Sequence, residues 1–288
     1  MRRNKQIKAS SQSEERYLKK DKSFQNGNAS LPELTSKSKK KEFIVCGWNA
    51  CQRLFEKRPK DILRLYFSKD RAIVLKPIVK FCANHKLPYR KIPPEELVKV
   101  SASVHHEGVV MITKPPKFKS TVELISEQLP TEGVWLALDR IGNSHNLGAL
   151  ARTASFFGID GLIIGHAAEQ AIATTSAFRT AEGAFEAVPL LICRDLASAL
   201  RDLKTAGVFV VGNDTKAEAS LFDAKLKLPC VLVMGSERDG LTARVKQRCD
   251  AVFRIPGEEQ MQSLNVSVAA GIAMAEVYKK KNKIKREN

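Results

Sequence analysis

The sequence predicts an α/β protein built on a mostly parallel β-sheet with helices on both faces. Short apolar segments recur along the chain, such as FIVCG at 43–47 and VWLALD at 134–139, and stretches with helical spacing of apolar residues separate them. Of the 288 residues, 43% are hydrophobic, which is enough to form a buried core. Short apolar strands that alternate with helices are typical of parallel sheets buried on both faces.

Residues 42–113 are expected to form a small α/β domain. The segment at 43–47 resembles a buried strand, and WNACQRLFEKR at 48–58 has apolar residues at helical spacing. ILRLYFS at 62–68 alternates as a strand does, and AIVLKPIVKFCANH at 72–85 predicts a helix that is interrupted or begins near Pro77. The remaining predicted elements of this domain are PYRKI, the helical PEELVKV and the strand GVVMIT.

A linker is predicted at 114–130, where KPPKFKS precedes a short helical stretch, and a second β/α series fills 131–288. Its last helix, predicted at 263–280, has small and apolar residues on nearly every face, which is typical of a buried helix. No internal repeat is evident. The predicted strands of this series are VWLALD (134–139), GLIIG (161–165), VFVVG (208–212), CVLVMG (230–235) and AVFRI (251–255).

Positive charge is concentrated in two tails. The formal net charge is +17; residues 1–41 contribute +8 and residues 279–288 contribute +5. The first tail is polar and poor in aromatic residues, so we expect a disordered arm there. Basic tails attract polyanions by releasing counterions. They favour nucleic acid over a membrane surface, because they lack the apolar face of an interfacial helix; a merely solubilising role remains open.

Several other classes of protein are excluded or disfavoured. The longest apolar runs are about ten residues, too short to span a bilayer, and residues 1–40 contain no apolar stretch of the kind found in secretory signals. Six scattered cysteines without a CxxC pair predict reduced thiols in a cytoplasmic protein and no metal site. Walker, dinucleotide-binding and nucleophile-elbow motifs are missing. With no evident histidine base, the chemistry is expected to depend on a bound cofactor.

The first candidate segment follows the strand at 134–139, where the carboxyl edge of a parallel sheet would place it in a ligand site. Asn146, Gly148 and Arg152 lie in the opening turns of a helix whose amides favour anions. Arg152 adds a bidentate donor suited to phosphate. As an alternative, Asn146 simply caps the helix.

Two further candidate segments follow later strands. GSERDGLT at 235–242 contains glycines that allow close backbone approach, and Glu237 is its notable charged group. Ser263 and Asn265 begin the last helix. For Glu237 the alternative is a solvated loop carboxylate, and for the other two it is helix capping.

Together these segments resemble the three motifs of the SpoU/TrmH family of S-adenosylmethionine-dependent RNA 2′-O-ribose methyltransferases, which belong to the SPOUT superfamily. The matching stretches are Asn146-x-Gly148-x3-Arg152, MGSERDG at 234–240, and IPG followed by SLNVSVAAGIAMAE at 255–276. SLNVSVA is the most specific of them. VCGWNACQRLFEKRP at 45–59 and HHEGVVM at 105–111 also resemble the family's small substrate-binding domain.

The resemblance implies a fold, a cofactor and partners. The catalytic domain would contain a deep trefoil knot. S-adenosylmethionine would be held largely by backbone atoms around Gly235, Ile255 and Leu264. The protein would act on ribosomal or transfer RNA as a homodimer, with its last helix against the partner, and small residues at 263–277 suit close helix packing.

The resemblance also implies roles for the polar residues. Arg152, helped by a substrate phosphate, would assist removal of the 2′-hydroxyl proton, and Asn146 would hold Arg152 or the RNA backbone. Glu237 and Asn265 would order the loops or orient the ribose, and Ser263 is the remaining residue of the third motif. The chain departs from the family pattern at Gly257, Glu258, Glu259 and Glu182. A base-directed methyltransferase of the same superfamily and a non-catalytic RNA-binding protein are the alternatives.

Overall fold

The computed structural model describes residues 42–165, 175–258 and 263–287. The predicted arm at 1–41 lies outside these residues, as do Glu259 and most of the polar loop that precedes Ser263. No helix within the described ranges combines the length and the apolar character needed to cross a bilayer.

Residues 43–113 form a four-stranded mixed sheet in the order β1-β4-β2-β3, with β2 and β3 parallel and the other pairs antiparallel. Helix α1 has a strongly apolar face that buries Ala50, Cys51 and Leu54 against this sheet. The elements are β1 (Phe43–Cys46), α1 (Trp48–Lys57), β2 (Ile62–Phe67), α2 (Lys76–Asn84), β3 (Tyr89–Lys91), α3 (Pro94–Ser101) and β4 (Val109–Thr113). Every predicted element of this region is present.

The rest of the described chain forms a seven-stranded sheet in the order β11-β9-β10-β6-β7-β8-β5, in which every pairing is parallel. Its elements are β5 (Lys119–Ser120), α4 (Thr121–Ser126), β6 (Val134–Leu138), α5 (Ser144–Phe156), β7 (Gly161–Gly165), α6 (Thr175–Thr180), β8 (Leu190–Cys193), α7 (Leu196–Thr205), β9 (Phe209–Asn213), β10 (Cys230–Met234), α8 (Ala243–Lys246), β11 (Ala251–Phe253) and α9 (Val266–Glu287).

Both faces of this sheet are covered, as the sequence predicts. Along β6, Leu136 packs on one face in a cluster with residues of α5 and α9, and Trp135 packs on the other with residues of α7 and α8. The alternation follows from the two-residue period of a strand. The α/β fold with a parallel sheet is therefore confirmed.

Two strands of the sheet are absent from the prediction. β8 has four apolar residues directly after Pro189, and β5 has two residues at the end of KPPKFKS. The predicted linker at 114–130 therefore includes a strand and helix α4, which is fixed by a capping box between Ser120 and Glu123. Such short strands carry too little periodicity to be recognised without their neighbours.

The prediction for the last helix is wrong in two respects. The helix begins at Val266, three residues later than predicted, and it is buried on one face: Ala270 and Met274 lie in the core while Val268 is half exposed. The small residues pack inside the chain, because α9 lies against α5. A Cβ added at Gly271 would meet Thr153 Cγ2 at 3.6 Å, an ordinary contact. The small residues of α9 therefore pack against α5 of the same chain.

Candidate active site

The three candidate segments meet at the carboxyl edge of the seven-stranded sheet. β6 and β10 are neighbours whose last residues, Leu138 and Met234, are in register. The first segment leaves β6 and enters α5, and the second leaves β10 as a loop. The start of α9 reaches the same place, because Val266 N–H points to Glu237 Oε1 at 3.4 Å. Parallel topology thus brings together residues more than a hundred positions apart.

A single carboxylate oxygen organises this meeting point. Glu237 Oε1 accepts hydrogen bonds from Asn146 Nδ2 and Asn265 Nδ2, both at 2.8 Å. Asn265 Nδ2 also lies 3.3 Å from Asn146 Oδ1, which closes a triangle of one carboxylate and two amides. One side chain comes from each of the three segments. Glu237 is therefore a structural acceptor and not the free solvated carboxylate of the alternative.

The capping alternatives for the two asparagines have different outcomes. α5 is capped by Asn143, whose Oδ1 accepts from the backbone of His145 at 2.8 Å, so Asn146 is not the cap. Asn265 Oδ1 accepts from the Ser267 backbone N–H at 2.9 Å while its Nδ2 contacts Glu237. Asn265 therefore caps α9 and lines the site with opposite ends of the same amide.

Gly148 brings α5 and α6 close together. A Cβ added there would lie 2.5 Å from Thr180 Cβ and 2.7 Å from the Ala177 carbonyl oxygen. Those distances are too short for any side chain, so only glycine fits at this helix crossing. The close approach places the turn after α6 beside Arg152.

Arg152 pairs with a carboxylate instead of Asn146. Its Nη1 donates to Glu182 Oε1 at 2.6 Å, and the two side chains are 62% and 40% exposed. Water screens an exposed ion pair of this kind, so the pair contributes little to the stability of the fold. The Arg152 guanidinium therefore remains available to an incoming anion. The expectation that Asn146 holds Arg152 is not met in this structure.

The loop after β10 is folded tightly on itself. Ser236 and Gly240 exchange backbone hydrogen bonds at 3.2 and 2.9 Å, and Gly235 lies so close that an added Cβ would be 2.1 Å from the Gly240 carbonyl carbon. The loop ends where the buried carboxylate of Asp139 accepts from Thr242 N–H at 2.6 Å. Asp139 N–H also donates to the Met234 carbonyl at 2.8 Å, so this residue, which directly follows β6, holds both ends of the segment that carries Glu237.

Gly235→Ala is expected to reduce affinity for S-adenosylmethionine by about tenfold or more. The added methyl group meets backbone atoms and not a flexible side chain, so the whole loop has to move, and overpacking of this kind costs about 1–3 kcal/mol. Isothermal titration of the cofactor into the variant measures the loss. Gly257→Ala is the matched control, because no described residue lies within 4 Å of a Cβ there. Equal affinities for the two variants would contradict the prediction.

One buried donor beside this loop has the character of a ligand contact. Asn213 ends β9, in register with Met234 of β10 and Phe253 of β11. Its Nδ2 is buried and has no hydrogen-bond partner among the described residues. An orphaned buried donor is costly, and an acceptor on a ligand would satisfy it. Since Gly235 and Ile255 follow those two strands closely, the arrangement fits a cofactor held between them.

The remaining predicted residues lie around this edge. Ile255 is partly buried against the core, whereas Leu264 and Ser263 are exposed at the approach to α9. Residues 259–262, between Ile255 and Leu264, lie outside the described chain. The structure therefore brings Asn146, Glu237 and Asn265 into direct contact and leaves Arg152 separate.

A cavity of about 250 Å³ opens beside the triangle. Arg140 and Arg238 line it with the triangle residues Asn146 and Glu237. Arg140 is held by Asp239 at 3.2 Å. Arg238, with the carboxylates of Glu237 and Asp239 nearby, makes the lining of this cavity polar and of mixed charge, and its guanidinium can bind a phosphate. Sequence reasoning missed both arginines, and it also missed Asn213, because neither residue type is distinctive until the strands are placed side by side.

Comparison with known proteins agrees with this geometry. A model of the SpoU rRNA methylase family matches residues 133–275, and a model of the RNA 2′-O-ribose methyltransferase substrate-binding domain matches residues 44–119.

Two relatives cover most of the chain. An uncharacterized tRNA/rRNA methyltransferase, YfiF of Escherichia coli O157:H7, is 32% identical over 248 residues, which is 86% of this chain and 71% of YfiF. The 23S rRNA (guanosine-2′-O-)-methyltransferase RlmB of Pseudomonas aeruginosa is 31% identical over 240 residues, covering 82% of this chain and 96% of that enzyme.

A solved structure has the same fold. The SpoU methyltransferase AviRb of Streptomyces viridochromogenes, crystallised with S-adenosylmethionine, superimposes with a TM-score of 0.70 at 20% identity, over 84% of this chain and 91% of AviRb. The two family models match consecutive regions of this chain, and both relatives are more than 30% identical to it over most of its length. The chain therefore belongs to the SpoU/TrmH family of S-adenosylmethionine-dependent RNA 2′-O-ribose methyltransferases.

Proposed function

We propose that the protein methylates a ribose 2′-hydroxyl in structured ribosomal RNA, with catalysis at the triangle of Asn146, Glu237 and Asn265 and at the neighbouring Arg152. The observation that carries the proposal is the Glu237 carboxylate, whose one oxygen joins a side chain from each of the two other motifs. Ribosomal RNA is favoured over transfer RNA because the RlmB relative is named for 23S rRNA. That substrate would place the protein in the cytoplasm.

S-adenosylmethionine supplies an activated methyl group, so the protein has to orient the ribose oxygen and accept its proton. Arg152 is the candidate for assisting the second task. Its guanidinium is exposed and has donors beyond the Nη1 that contacts Glu182. Those donors would hold a substrate phosphate beside the ribose, and a phosphate oxygen would accept the 2′-hydroxyl proton as the oxygen attacks the methyl group, because a guanidinium has no acceptor of its own. Glu237 and Asn265 would fix the loops around the ribose, and Ser263 would lie beside it.

The cofactor would be bound by backbone atoms around Gly235, Ile255 and Leu264, with the Asn213 amide as an additional donor. The buried, unpartnered Asn213 Nδ2 supports this assignment.

We also infer that the catalytic region is knotted. The loop after β9 contacts the last residue of β11 and the residue that follows it. Asp214 N–H donates to the Phe253 carbonyl at 3.0 Å, and Arg254 N–H donates to the Ala219 carbonyl at 2.9 Å. Leu221 N–H then donates to the Arg254 carbonyl at 2.8 Å. A chain held from both sides and then leading to α9 at the site is consistent with threading through that loop. The proposed function assigns a role to each region of the chain. Residues 42–113 would bind the RNA substrate, residues 114–130 would link the two regions, and residues 131–288 would form the catalytic region.

The protein is expected to be a homodimer through an aromatic surface formed by Phe156, Phe157 and Tyr278. Phe156 is 82% exposed, and successive ring centroids in this group are 5.1 and 5.7 Å apart. A cluster of exposed aromatics is typical of an interface. Phe156→Asp should convert a dimer into a monomer in sedimentation velocity at micromolar concentration. Phe222→Asp, at another half-exposed phenylalanine, is the control. A monomeric parent protein would refute the expectation.

Deletion of residues 1–41 is expected to weaken RNA binding without changing the nucleotide that is methylated. The deletion removes a net charge of +8, so fewer counterions are released and the dependence of affinity on salt becomes shallower. Filter binding between about 50 and 200 mM salt measures the slope. Methylation at a different nucleotide in the truncated protein would contradict this.

The function is tested by transfer of labelled methyl groups to unmodified ribosomal RNA transcripts. A 2′-O-methyl group blocks alkaline cleavage at its own phosphodiester, so a single alkali-resistant position should appear together with the label. Label without alkali resistance would indicate methylation of a base. Cofactor binding without transfer to ribosomal or transfer RNA would indicate a non-catalytic RNA-binding protein.

A further inference from the structure

The turn after α6 contains Glu182, whose carboxylate contacts one helix beside each of the two sheets. Glu182 Oε1 accepts from Arg152 Nη1 at 2.6 Å, and Glu182 Oε2 accepts from Asn49 Nδ2 at 3.2 Å. Arg152 lies on α5, beside the candidate active site, and Asn49 lies on α1, beside the four-stranded sheet. One side chain outside the three motifs therefore links the candidate catalytic arginine to the region matched by the substrate-binding model.

The backbone holds this carboxylate in place against α1. Gly183 lies so close to α1 that an added Cβ would be 3.0 Å from the Asn49 carbonyl oxygen and 2.8 Å from Arg53 Cδ. Near the far end of the same turn, the half-buried Arg58 donates to Glu186 at 2.9 Å. Because of these contacts, we expect a shift of α1 to shift the Glu182 carboxylate as well.

Glu182 itself adopts an unfavourable backbone conformation. Its φ is +48°, in the left-handed region where glycine is at ease and a residue with a Cβ is strained. Strain of this kind persists where surrounding contacts over-determine it, and it is found at functional sites. Among the described residues, the side chain of Glu182 forms hydrogen bonds with Arg152 and Asn49, and these contacts are the candidates for the function that the strain serves.

The ion pair between Arg152 and Glu182 is better suited to orienting the arginine than to stabilising the fold. Both side chains are exposed to water, so the ion pair is weak. It nevertheless ties down one nitrogen of a flexible guanidinium. Nη2 and Nε have no hydrogen-bond acceptor among the described residues, so they can present a bidentate edge to an RNA phosphate.

We propose that Glu182 is a positioning residue that orients Arg152 for methyl transfer and that couples this orientation, through Asn49, to the seating of RNA on the substrate-binding region. The proposal rests on the catalytic role proposed for Arg152. It differs from that role because Glu182 touches no reacting atom and acts through the arginine.

The test compares steady-state transfer to an unmodified ribosomal RNA transcript by five single variants and by the double variant of Asn49→Ala with Glu182→Gly; the single variants are Glu182→Gly, Glu182→Gln, Asn49→Ala, Arg152→Ala and the control Asp202→Ala. Glu182→Gly removes the side chain and relieves the backbone, so its melting temperature should not fall, yet its kcat should fall about tenfold with the KM values for RNA and cofactor within about twofold. Glu182→Gln keeps the reach and one acceptor oxygen, so it should recover part of that loss. Asn49→Ala should reduce kcat in the parent protein and have no further effect in Glu182→Gly. Asp202→Ala breaks an ion pair of similar exposure on α7 and should leave kcat unchanged.

Each outcome separates this proposal from the proposed function. If Arg152→Ala abolishes transfer while Glu182→Gly is as active as Asp202→Ala, the positioning role is wrong and the role of Arg152 stands. If Arg152→Ala itself transfers at the parent rate, the proposed function of that arginine fails first. If Asn49→Ala and Glu182→Gly act independently, the coupling through Asn49 is wrong.

Discussion

Arg152→Ala is expected to fold, to bind S-adenosylmethionine with parent affinity, and to lose methyl transfer by about a hundredfold or more. The loss is the scale expected when a group that orients a proton transfer or stabilises charge is removed, and a hundredfold corresponds to about 2.7 kcal/mol in the activation free energy. The fold should survive because the one ion pair of Arg152 is exposed to water. Cofactor affinity should survive because the proposed cofactor residues follow β9, β10 and β11, not β6.

Three measurements on the same protein decide the matter: thermal unfolding, cofactor titration and single-turnover transfer to RNA. Arg201→Ala is a suitable control, because Arg201 has similar exposure and its acidic partner is its neighbour Asp202 on α7. Transfer near the parent rate by a folded Arg152→Ala protein would remove this arginine from the mechanism.

Glu237→Ala is expected to be the second most damaging change, with transfer reduced about a hundredfold. The substitution leaves the amides of Asn146 and Asn265 without their shared acceptor, and it takes an acceptor from the first turn of α9. Loss of hydrogen bonds to a charged group costs about 1.5–3 kcal/mol each where the donors are buried, and less here, because these side chains are largely exposed. The effect should therefore appear in kcat far more than in melting temperature.

Glu237→Gln separates the two ways in which the carboxylate could act. Glutamine keeps one acceptor oxygen in place, and a single oxygen of Glu237 accepts the hydrogen bonds from both asparagines. If Glu237 holds the loops, Glu237→Gln should lose only about tenfold, because a neutral acceptor makes weaker bonds than a charged one. Equal rates for Glu237→Ala and the parent protein would show that the triangle has no catalytic consequence.

Most elements were predictable from the sequence pattern, whereas strands β5 and β8 were not. β6 and β10 are runs of apolar residues bounded by loops, and α1 has a sharp apolar face, so local pattern was enough for all three. β5 has two residues and pairs only with β8 in the sheet, so its strand character comes from its neighbour. The prediction that α9 is buried on every face was wrong for a related reason. Small residues indicate that a helix packs closely against a neighbour, but they do not show how many of its faces are covered.

The candidate site divides in the same way. Asn146, Glu237 and Asn265 could be grouped because each follows a strand, and parallel strands bring such residues to one edge. The partner of Arg152 could not be found by that rule, since Glu182 follows a helix and reaches Arg152 through the close approach at Gly148. Asn213 was beyond sequence reasoning, because a missing hydrogen-bond partner is a property of the packed structure and of no local pattern.

The order of the strands has a consequence for synthesis on the ribosome. β9 lies between β10 and β11, and Asn265, which completes the triangle, comes after all of them in the chain. All strand pairings of the four-stranded sheet lie within residues 43–113, so these pairings can form while the rest of the chain is still being translated. The catalytic edge, in contrast, has to wait until the residues of α9 have left the exit tunnel. A nascent chain stalled before that point would carry a finished substrate-binding sheet and an incomplete active site.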